Sequence, residues 1–198
     1  MWLVVGLGNP GKRYERTRHN IGFLAVERFA ERWSINPDAR DLFGGKVGEG
    51  RVRDERCVVL RPQSFMNLSG QPVVSVAGFY KVPLEKVVVV HDDVDLPFAD
   101  VRCKLGGGHG GHNGLRDISR AMTGGHPRVR FGVGRPPEGW ETADWVLGKW
   151  SGVEEAALPT AIDQVATVLE SILQDGVSAT MNRFNTRPRA GVAPSASA

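Results

Sequence analysis

Four consecutive valines, Val87 to Val90, constrain the fold of this chain more than any other feature of its sequence. An unbroken β-branched run is typical of a strand that is buried on both faces of a sheet, whereas a half-exposed strand alternates apolar and polar residues. The run leads directly into His91, Asp92 and Asp93. We therefore predict a central strand that delivers titratable side chains at its carboxyl end.

Strand-like and helix-like segments alternate along the rest of the chain, which predicts a single three-layer α/β domain with a mixed, twisted sheet flanked by helices. Predicted strands cover residues 2–5, 46–53, 56–61, 87–90, 101–105 and 128–133, and predicted helices cover residues 21–33, 70–80, 115–122, 152–172 and 177–184. Asn20 and Ser69 are predicted N-caps, and Ser151 with Glu154 predicts a capping box. Residues 1–188 are expected to form one domain, followed by an unstructured polar tail at 189–198.

The composition indicates a reducing compartment and no membrane partner. Cys57 and Cys103 have neither metal-ligand spacing nor the density of a disulfide scaffold, as expected for a cytoplasmic protein. Residues 1–7 lack the basic flank and the length of a signal peptide. No apolar run approaches the ~20 residues that span a bilayer, so we expect neither export nor membrane insertion.

Positive charge is concentrated in one stretch. Residues 102–135 contain seven Lys or Arg and one acidic residue, Asp117, although the net charge of the chain is only +3. Such a stretch is either a solvated face or a surface that meets an anion. Within it, the run from Gly106 to Gly114 has six glycines in nine residues. This favours contact between backbone N–H groups and a phosphate or oxyanion over a flexible loop with Asn113 as helix cap.

A G-x-G-x-x-G pattern, formed by Gly6, Gly8 and Gly11, follows the first predicted strand. The context is wrong for a dinucleotide site, because Pro10 interrupts the turn and no helix follows at once. We therefore expect no nucleotide cofactor.

Asn9 follows the first predicted strand, and Asp92 follows the valine strand. Ligands of open α/β sheets gather outside the carboxyl ends of the strands, which would bring both side chains to one crevice. An asparagine in a Gly/Pro turn is also a common turn residue, and that alternative stays open.

His19 is the candidate general base, because a histidine titrates near neutral pH. If Asp92 accepts from one ring nitrogen, it would fix the tautomer and raise the basicity of the other. No G-x-S-x-G occurs and neither cysteine lies in a nucleophile motif, so water is the expected nucleophile. The histidines and acids at 91–95, 109 and 112 could hold a metal, but they match no recognised metal pattern, and metal-free hydrolysis is favoured.

The run from Ser64 to Gly70 offers an aromatic ring, a thioether and an amide just ahead of a predicted helix. It is either a turn of the core or a contact surface. In the second case Phe65 or Met66 packs against an apolar part of a substrate, while Asn67 hydrogen-bonds a peptide group or a ribose.

Taken together, five motifs closely resemble those of the bacterial peptidyl-tRNA hydrolase family. They occur in the family's order over most of residues 1–150, at positions 6–11, 17–20, 65–70, 91–97 and 106–115. The C-terminal region resembles the family more loosely. Phe98, Ala99 and Asp100 replace a stretch that commonly contains glycine in the family.

The resemblance implies a monomeric α/β hydrolase, without metal or cofactor, that cleaves the ester between a peptide or N-blocked amino acid and the 3′-terminal ribose of tRNA. It implies that His19 is the catalytic base, that Asp92 stabilises its active form and that Asn9 distinguishes blocked from free aminoacyl groups. The residues implied in substrate binding are Tyr14, Phe65, Met66, Asn67, His112 and Asn113. Lys104 and Arg130 resemble the family's clamp for the tRNA 5′ phosphate, which would give the basic stretch its partner.

Two other functions compete with this one. Some proteins that resemble the family assist RNA splicing without hydrolysing a substrate, and a nucleoside-processing enzyme could share the α/β architecture. The combination of His19, Asp92 and several asparagines favours the hydrolase, because RNA binding alone requires mainly a basic surface.

Overall fold

The computed structural model describes residues 1–123 and 125–185, and the tail predicted at 189–198 lies outside the described residues. Within this range the predicted α/β fold is confirmed, with a seven-stranded mixed sheet and six α-helices. The strands are β1 (Trp2–Gly6), β2 (Arg40–Leu42), β3 (Gly45–Val52), β4 (Glu55–Pro62), β5 (Val87–Asp93), β6 (Val101–Leu105) and β7 (Pro127–Gly132). The α-helices are α1 (Ile21–Arg32), α2 (Gly70–Phe79), α3 (Asn113–Ala121), α4 (Thr142–Val146), α5 (Gly152–Asp175) and α6 (Val177–Phe184).

The sheet has the strand order β2-β3-β4-β1-β5-β7-β6. Its inner strands β4, β1, β5 and β7 are parallel, whereas β2, β3 and β6 each pair antiparallel. The valine run lies in β5, between β1 and β7, and its four side chains are fully buried, as predicted for a central strand. Because β1 and β5 are parallel, their carboxyl ends lie side by side, with Gly6 opposite Val90.

Helices cover both faces of the sheet, which gives the predicted three layers. On one face, α1, α5 and α6 pack over strand side chains that include Val88 and Val90. On the other face, α2 and α3 pack over side chains that include Val87 and Val89. The valines alternate between the two cores because successive side chains of a strand point to opposite faces.

Helix α1 begins unusually close to the sheet because two glycines face each other. A Cβ on Gly22 would lie 2.5 Å from the carbonyl oxygens of Leu7 and Val90, and one on Gly6 would lie 2.3 Å from the Gly22 oxygen. The absence of both Cβ atoms lets α1 start against the ends of β1 and β5. His19 lies in the 3₁₀ turn that precedes α1, and is therefore carried to the end of β5.

Caps and short elements differ from the sequence-based expectations. Strand β2 and helix α4 were not predicted, because segments of three and five residues carry no periodic signal. Asn20 and Ser69 lie at the N-cap positions, but neither side chain caps its helix. Helix α3 begins at Asn113, and its N-cap is His112. The capping box at Ser151 is confirmed, as are the bounds of α6.

Helix α5 is long and apolar enough to cross a bilayer by length and composition alone. Unbroken apolar runs in the sequence did not indicate this, because polar residues are interspersed along the helix. Half of its most apolar window is buried, and Val165, Leu169 and Ile172 lie in the same core cluster as α1. Such burial is typical of a core helix in a globular domain.

The departure from the family pattern at residues 98–100 is anchored in the core. The Phe98 ring lies 6.2 Å from the Phe131 ring and 5.8 Å from the Trp150 ring, measured between centroids. Ala99 has a φ of 63°, in the left-handed region that glycine adopts without strain. The backbone therefore keeps a shape that favours glycine, while Phe98 adds an aromatic anchor.

Candidate active site

The candidate site is built around Asp92, near the carboxyl end of β5. Its side chain is buried, and its Oδ1 lies 2.8 Å from His19 Nδ1 and 3.0 Å from His112 Nε2. His19 and Asp92, which sequence reasoning paired, are therefore in hydrogen-bond contact. His112, which the resemblance implied in substrate binding, shares the same carboxylate oxygen.

The contacts around Asp92 assign the tautomers of both histidines. An ionised carboxylate can only accept, so each nitrogen that contacts it carries a hydrogen. His112 Nδ1 accepts from the Leu115 N–H at 3.4 Å, which agrees with a proton on its Nε2. In His19, Nδ1–H donates to Asp92, and Nε2 is left as the basic nitrogen.

Burial and charge act in opposite directions on this cluster. Burial opposes ionisation of Asp92, but the two histidines outweigh that effect and hold the pKa of Asp92 below its usual value. Burial also lowers the pKa of His19, but the charge of Asp92 and its hydrogen bond outweigh that effect and raise the pKa of His19 above 6.5. Asp92 therefore stays ionised, and His19 becomes a stronger proton acceptor.

Asn9 is held just beyond the end of β1 by three hydrogen bonds. Its backbone N–H donates to Asn20 Oδ1 at 2.8 Å, and Asn20 Nδ2 donates to its carbonyl at 2.9 Å. The Asn9 Oδ1 accepts from the Met66 N–H at 2.7 Å, which leaves the Asn9 Nδ2 as a donor for a ligand. Asn20, which the sequence indicated only as a helix cap, therefore supports the site.

Two clefts meet at this cluster, and His19 and Asn113 line both of them. The first, which we name the basic cleft, is further lined by Lys104, Arg128, Arg130 and the glycine loop at 108–111. Asp93 and Asp95 also line it, and they form ion pairs with Arg130 and Arg135. The second, the amide cleft, is further lined by Asn9, Phe65, Met66 and Asn67. A ligand with an anionic part and a peptide-like part could therefore occupy both clefts, with the bond between those parts beside His19.

The two residues of the implied phosphate clamp lie in the basic cleft. Arg130 Nε donates to Asp93 Oδ2 at 2.7 Å, which holds one edge of its guanidinium. Lys104 pairs with Arg128 across β6 and β7, so both side chains project from the same face of the sheet. Sequence reasoning did not select Arg128, although its spacing of two residues from Arg130 on a predicted strand indicated a shared face.

The residues implied in peptidyl contact are only partly brought together. Phe65 is 57% exposed and Met66 only 4%, and both line the amide cleft, as do Asn67 and Asn113. Tyr14 lines neither cleft, and the Arg13 guanidinium lies 4.5 Å from the centre of its ring. Phe65 is thus an exposed apolar side chain at the amide cleft, as is Leu147, which is 41% exposed.

His19, Asp92 and His112 also have the residue types of a metal site, with ligand atoms within 4.8 Å of one another. This set shares only Asp92 and His112 with the residues that the sequence indicated as metal candidates. In the arrangement present, both histidines point an N–H group at the carboxylate, so the nitrogens that a metal would need carry protons instead. The geometry fits proton transfer.

Comparison with known proteins gives matches over nearly the whole chain. The family model described as Peptidyl-tRNA hydrolase matches residues 3–191. The chain is 46% identical to the peptidyl-tRNA hydrolase of Chloroflexus aurantiacus over 187 residues, covering 93% of this chain and 99% of that protein. It is 43% identical to that of Bdellovibrio bacteriovorus over 188 residues, covering 94% of this chain and all of that protein.

A solved structure agrees with these sequence matches. The crystal structure of peptidyl-tRNA hydrolase from Acinetobacter baumannii matches with a TM-score of 0.89 and 38% identity, covering 96% of this chain and 97% of that chain. Sequence and fold thus agree over almost the full length of both proteins. On this combined match, the chain belongs to the peptidyl-tRNA hydrolase family.

Proposed function

We propose that this chain hydrolyses the ester bond between a peptide, or an N-blocked amino acid, and the 3′-terminal ribose of peptidyl-tRNA, which releases free tRNA for reuse. Family membership supports the substrate and the reaction class. The observation that carries the proposal is the 2.8 Å contact between His19 and Asp92 at the junction of the two clefts. An oriented base between the basic cleft and the amide cleft suits an ester that joins RNA to peptide, because the RNA carries phosphates and the peptide carries amide groups.

In the proposed mechanism, His19 Nε2 takes a proton from a water molecule as the water oxygen attacks the ester carbonyl carbon. Asp92 stabilises the imidazolium that forms. The tetrahedral intermediate then breaks its bond to the ribose oxygen, and the imidazolium returns the proton to that oxygen. The products are a peptide with a free carboxyl group and a tRNA with a free ribose hydroxyl, and His19 is again neutral.

Asparagine side chains supply the polar contacts in this proposal. Asn67 and Asn113 line the amide cleft beside His19, where an amide N–H aimed at the developing oxyanion commonly contributes ~3 kcal/mol. Asn9 Nδ2 can donate to the acyl carbonyl of an N-blocked residue. A free aminoacyl group would bring an ammonium donor to the same place, so Asn9 favours blocked substrates.

Replacing Lys104 or Arg130 by alanine is expected to raise KM for full-length peptidyl-tRNA by about tenfold, because a charge-assisted hydrogen bond to phosphate is lost. We expect kcat to change little, since neither residue contacts the reacting bond. Initial rates at several salt concentrations check this, and the salt dependence should weaken by about one phosphate contact per variant.

Two controls isolate the 5′ phosphate in that experiment. Arg56→Ala removes one exposed positive charge of β4, outside both clefts, and should leave KM unchanged. A substrate without its 5′ phosphate should bring the native protein close to the Lys104 variant. If the substitution of Lys104 raises KM by the same factor for substrates with and without the 5′ phosphate, Lys104 does not bind that phosphate.

Turnover is proposed to need no metal, because the proton-transfer cluster itself supplies the base. Treating the protein with a chelator, and then returning it to a magnesium-containing assay that preserves tRNA structure, is expected to leave the rate of tRNA release unchanged. The assay follows free tRNA from an N-acetylated aminoacyl-tRNA. A loss of activity that zinc restores would instead make His19, Asp92 and His112 metal ligands.

We further propose that the protein acts as a monomer in the cytoplasm. The monomer is what the resemblance to the peptidyl-tRNA hydrolase family implies. Cys57 and Cys103 are buried and free, which suits a reducing compartment. Sedimentation of the active protein at assay concentration tests the monomer.

A further inference from the structure

The glycine loop is tied to the sheet by a residue that the mechanism above does not use. Arg128 on β7 donates from Nη2 to the Gly107 carbonyl at 2.8 Å and from Nη1 to the Gly108 carbonyl at 2.7 Å. A Cβ on Gly108, Gly110 or Gly111 would meet nothing within 4 Å. The loop has local hydrogen bonds from the Gly111 N–H to His109 Nδ1 and from the His112 N–H to the His109 carbonyl. The two bonds from Arg128 add a tie between Gly107, Gly108 and strand β7.

Arg128 is also an uncommon kind of buried residue. It is 3% exposed. Among the described residues no carboxylate forms an ion pair with Arg128, and the nearby Asp93 forms one with Arg130 instead. Burying a cation without a counter-charge is unfavourable, and Arg128 Nε is buried with no hydrogen-bond partner among the described residues. The two bonds from its Nη atoms are therefore the ones that offset the cost of burial. A guanidinium fork matches two adjacent carbonyls in a way that an apolar side chain could not.

This paired donation sets the direction of the peptide groups in the loop. In a trans peptide the C=O and the following N–H point in opposite directions, so the N–H groups of Gly108 and His109 point away from Arg128. The loop has positive φ at Gly106, Gly107, Gly110 and Gly111. Such glycine-rich turns can turn successive N–H groups to one side and form an anion-binding concavity, and residues 108–111 of the loop line the basic cleft.

We propose that Arg128 is a positioning residue that holds the glycine loop in the shape required to bind the acceptor end of the tRNA and to present His112 and Asn113 to the site. Arg128 acts through the loop backbone and does not contact the reacting atoms. The identity of the substrate rests on the proposed function, whereas the ordering of the loop does not.

Two substitutions distinguish the paired hydrogen bonds of the Arg128 guanidinium from its positive charge. Arg128→Lys keeps the positive charge but cannot donate to both carbonyls in a fixed geometry, and Arg128→Met keeps only the approximate length of the side chain. We expect both variants to exchange the amide hydrogens of residues 107–112 about tenfold faster than the native protein, with unchanged exchange in β5. KM for peptidyl-tRNA should rise about tenfold, while the pH dependence of kcat stays in place because the His19–Asp92 contact remains.

Amide exchange is measured on the full chain without substrate, so a failed hydrolysis assay would overturn the proposed function and leave this measurement intact.

Arg56→Met is the matched control, since it removes a positive charge far from the loop and should alter neither readout. Unchanged exchange at 107–112 in the Arg128 variants would overturn the proposal. So would a lysine variant that behaves like the native protein, because charge alone would then suffice. If the methionine variant does not fold, the lysine variant decides the question.

Discussion

Replacing His19 by alanine is expected to lower kcat for peptidyl-tRNA hydrolysis by about 10²- to 10⁴-fold, the range typical for loss of a general base. His19 Nε2 is the basic nitrogen left by the bond between Nδ1 and Asp92, and no other group in the proposed mechanism activates the water. KM should change little, because tRNA binding depends on the basic cleft. Release of free tRNA from N-acetylated aminoacyl-tRNA measures the effect.

The melting temperature and tRNA affinity of the His19 variant serve as controls, and both should stay close to the native values. Unchanged turnover in a folded variant would remove His19 from the mechanism. If the native protein binds tRNA tightly but releases none from the ester, the chain is an RNA-binding relative of the hydrolases and not an enzyme.

Replacing Asp92 by asparagine is expected to lower kcat by about 10³- to 10⁴-fold, although the two side chains have nearly the same shape. His19 and His112 both donate to one oxygen of the ionised carboxylate. An amide carries no charge and can turn its N–H group toward His19, whose Nδ1 would then have to accept instead of donate. His19 would lose both its preferred tautomer and the charge that stabilises its imidazolium, as in hydrolytic triads. Single-turnover rates measure this loss separately from substrate binding.

The pH profile provides an independent readout of the same variant. Activity requires unprotonated His19, so in the native protein it should rise with pH through the pKa of His19, which lies above 6.5. Without the charge of Asp92, burial dominates and lowers that pKa, so the acid limb of the residual activity should move to lower pH.

Asp54→Asn is the matched control for this substitution. It removes an exposed carboxylate in the turn between β3 and β4, outside both clefts. Its rate and pH profile should match those of the native protein. An Asp92 variant whose acid limb stays in place would show that the carboxylate does not control His19.

The sheet and the central pair of residues could be predicted because their signals are local. A strand buried on both faces must be apolar throughout, and the valine run of β5 shows this without any other information. Parallel strands end at one edge of a sheet, so Asn9 after β1 and Asp92 in β5 could be expected at one crevice. Strand β2 and helix α4 were missed because they are too short to show a period.

Supporting contacts could not be predicted in the same way. Asn20 follows a standard cap pattern, yet its side chain bonds the backbone of Asn9. His112 reaches the carboxylate oxygen that His19 also contacts, and Arg128 lies beneath the glycine loop. Each contact joins segments that are distant along the chain, and no local pattern encodes which pair will meet.

The sequence by itself therefore determined which chemical groups are available and which strand or turn carries each of them, because these properties depend on neighbouring residues. Only the tertiary structure decided which groups share a hydrogen bond. A hydrogen bond requires the donor and acceptor atoms to lie within a few tenths of an ångström of their preferred distance, and that precision depends on how distant elements pack. The approach of α1 to β1 and β5 at Gly22, which brings His19 to Asp92, is the clearest case.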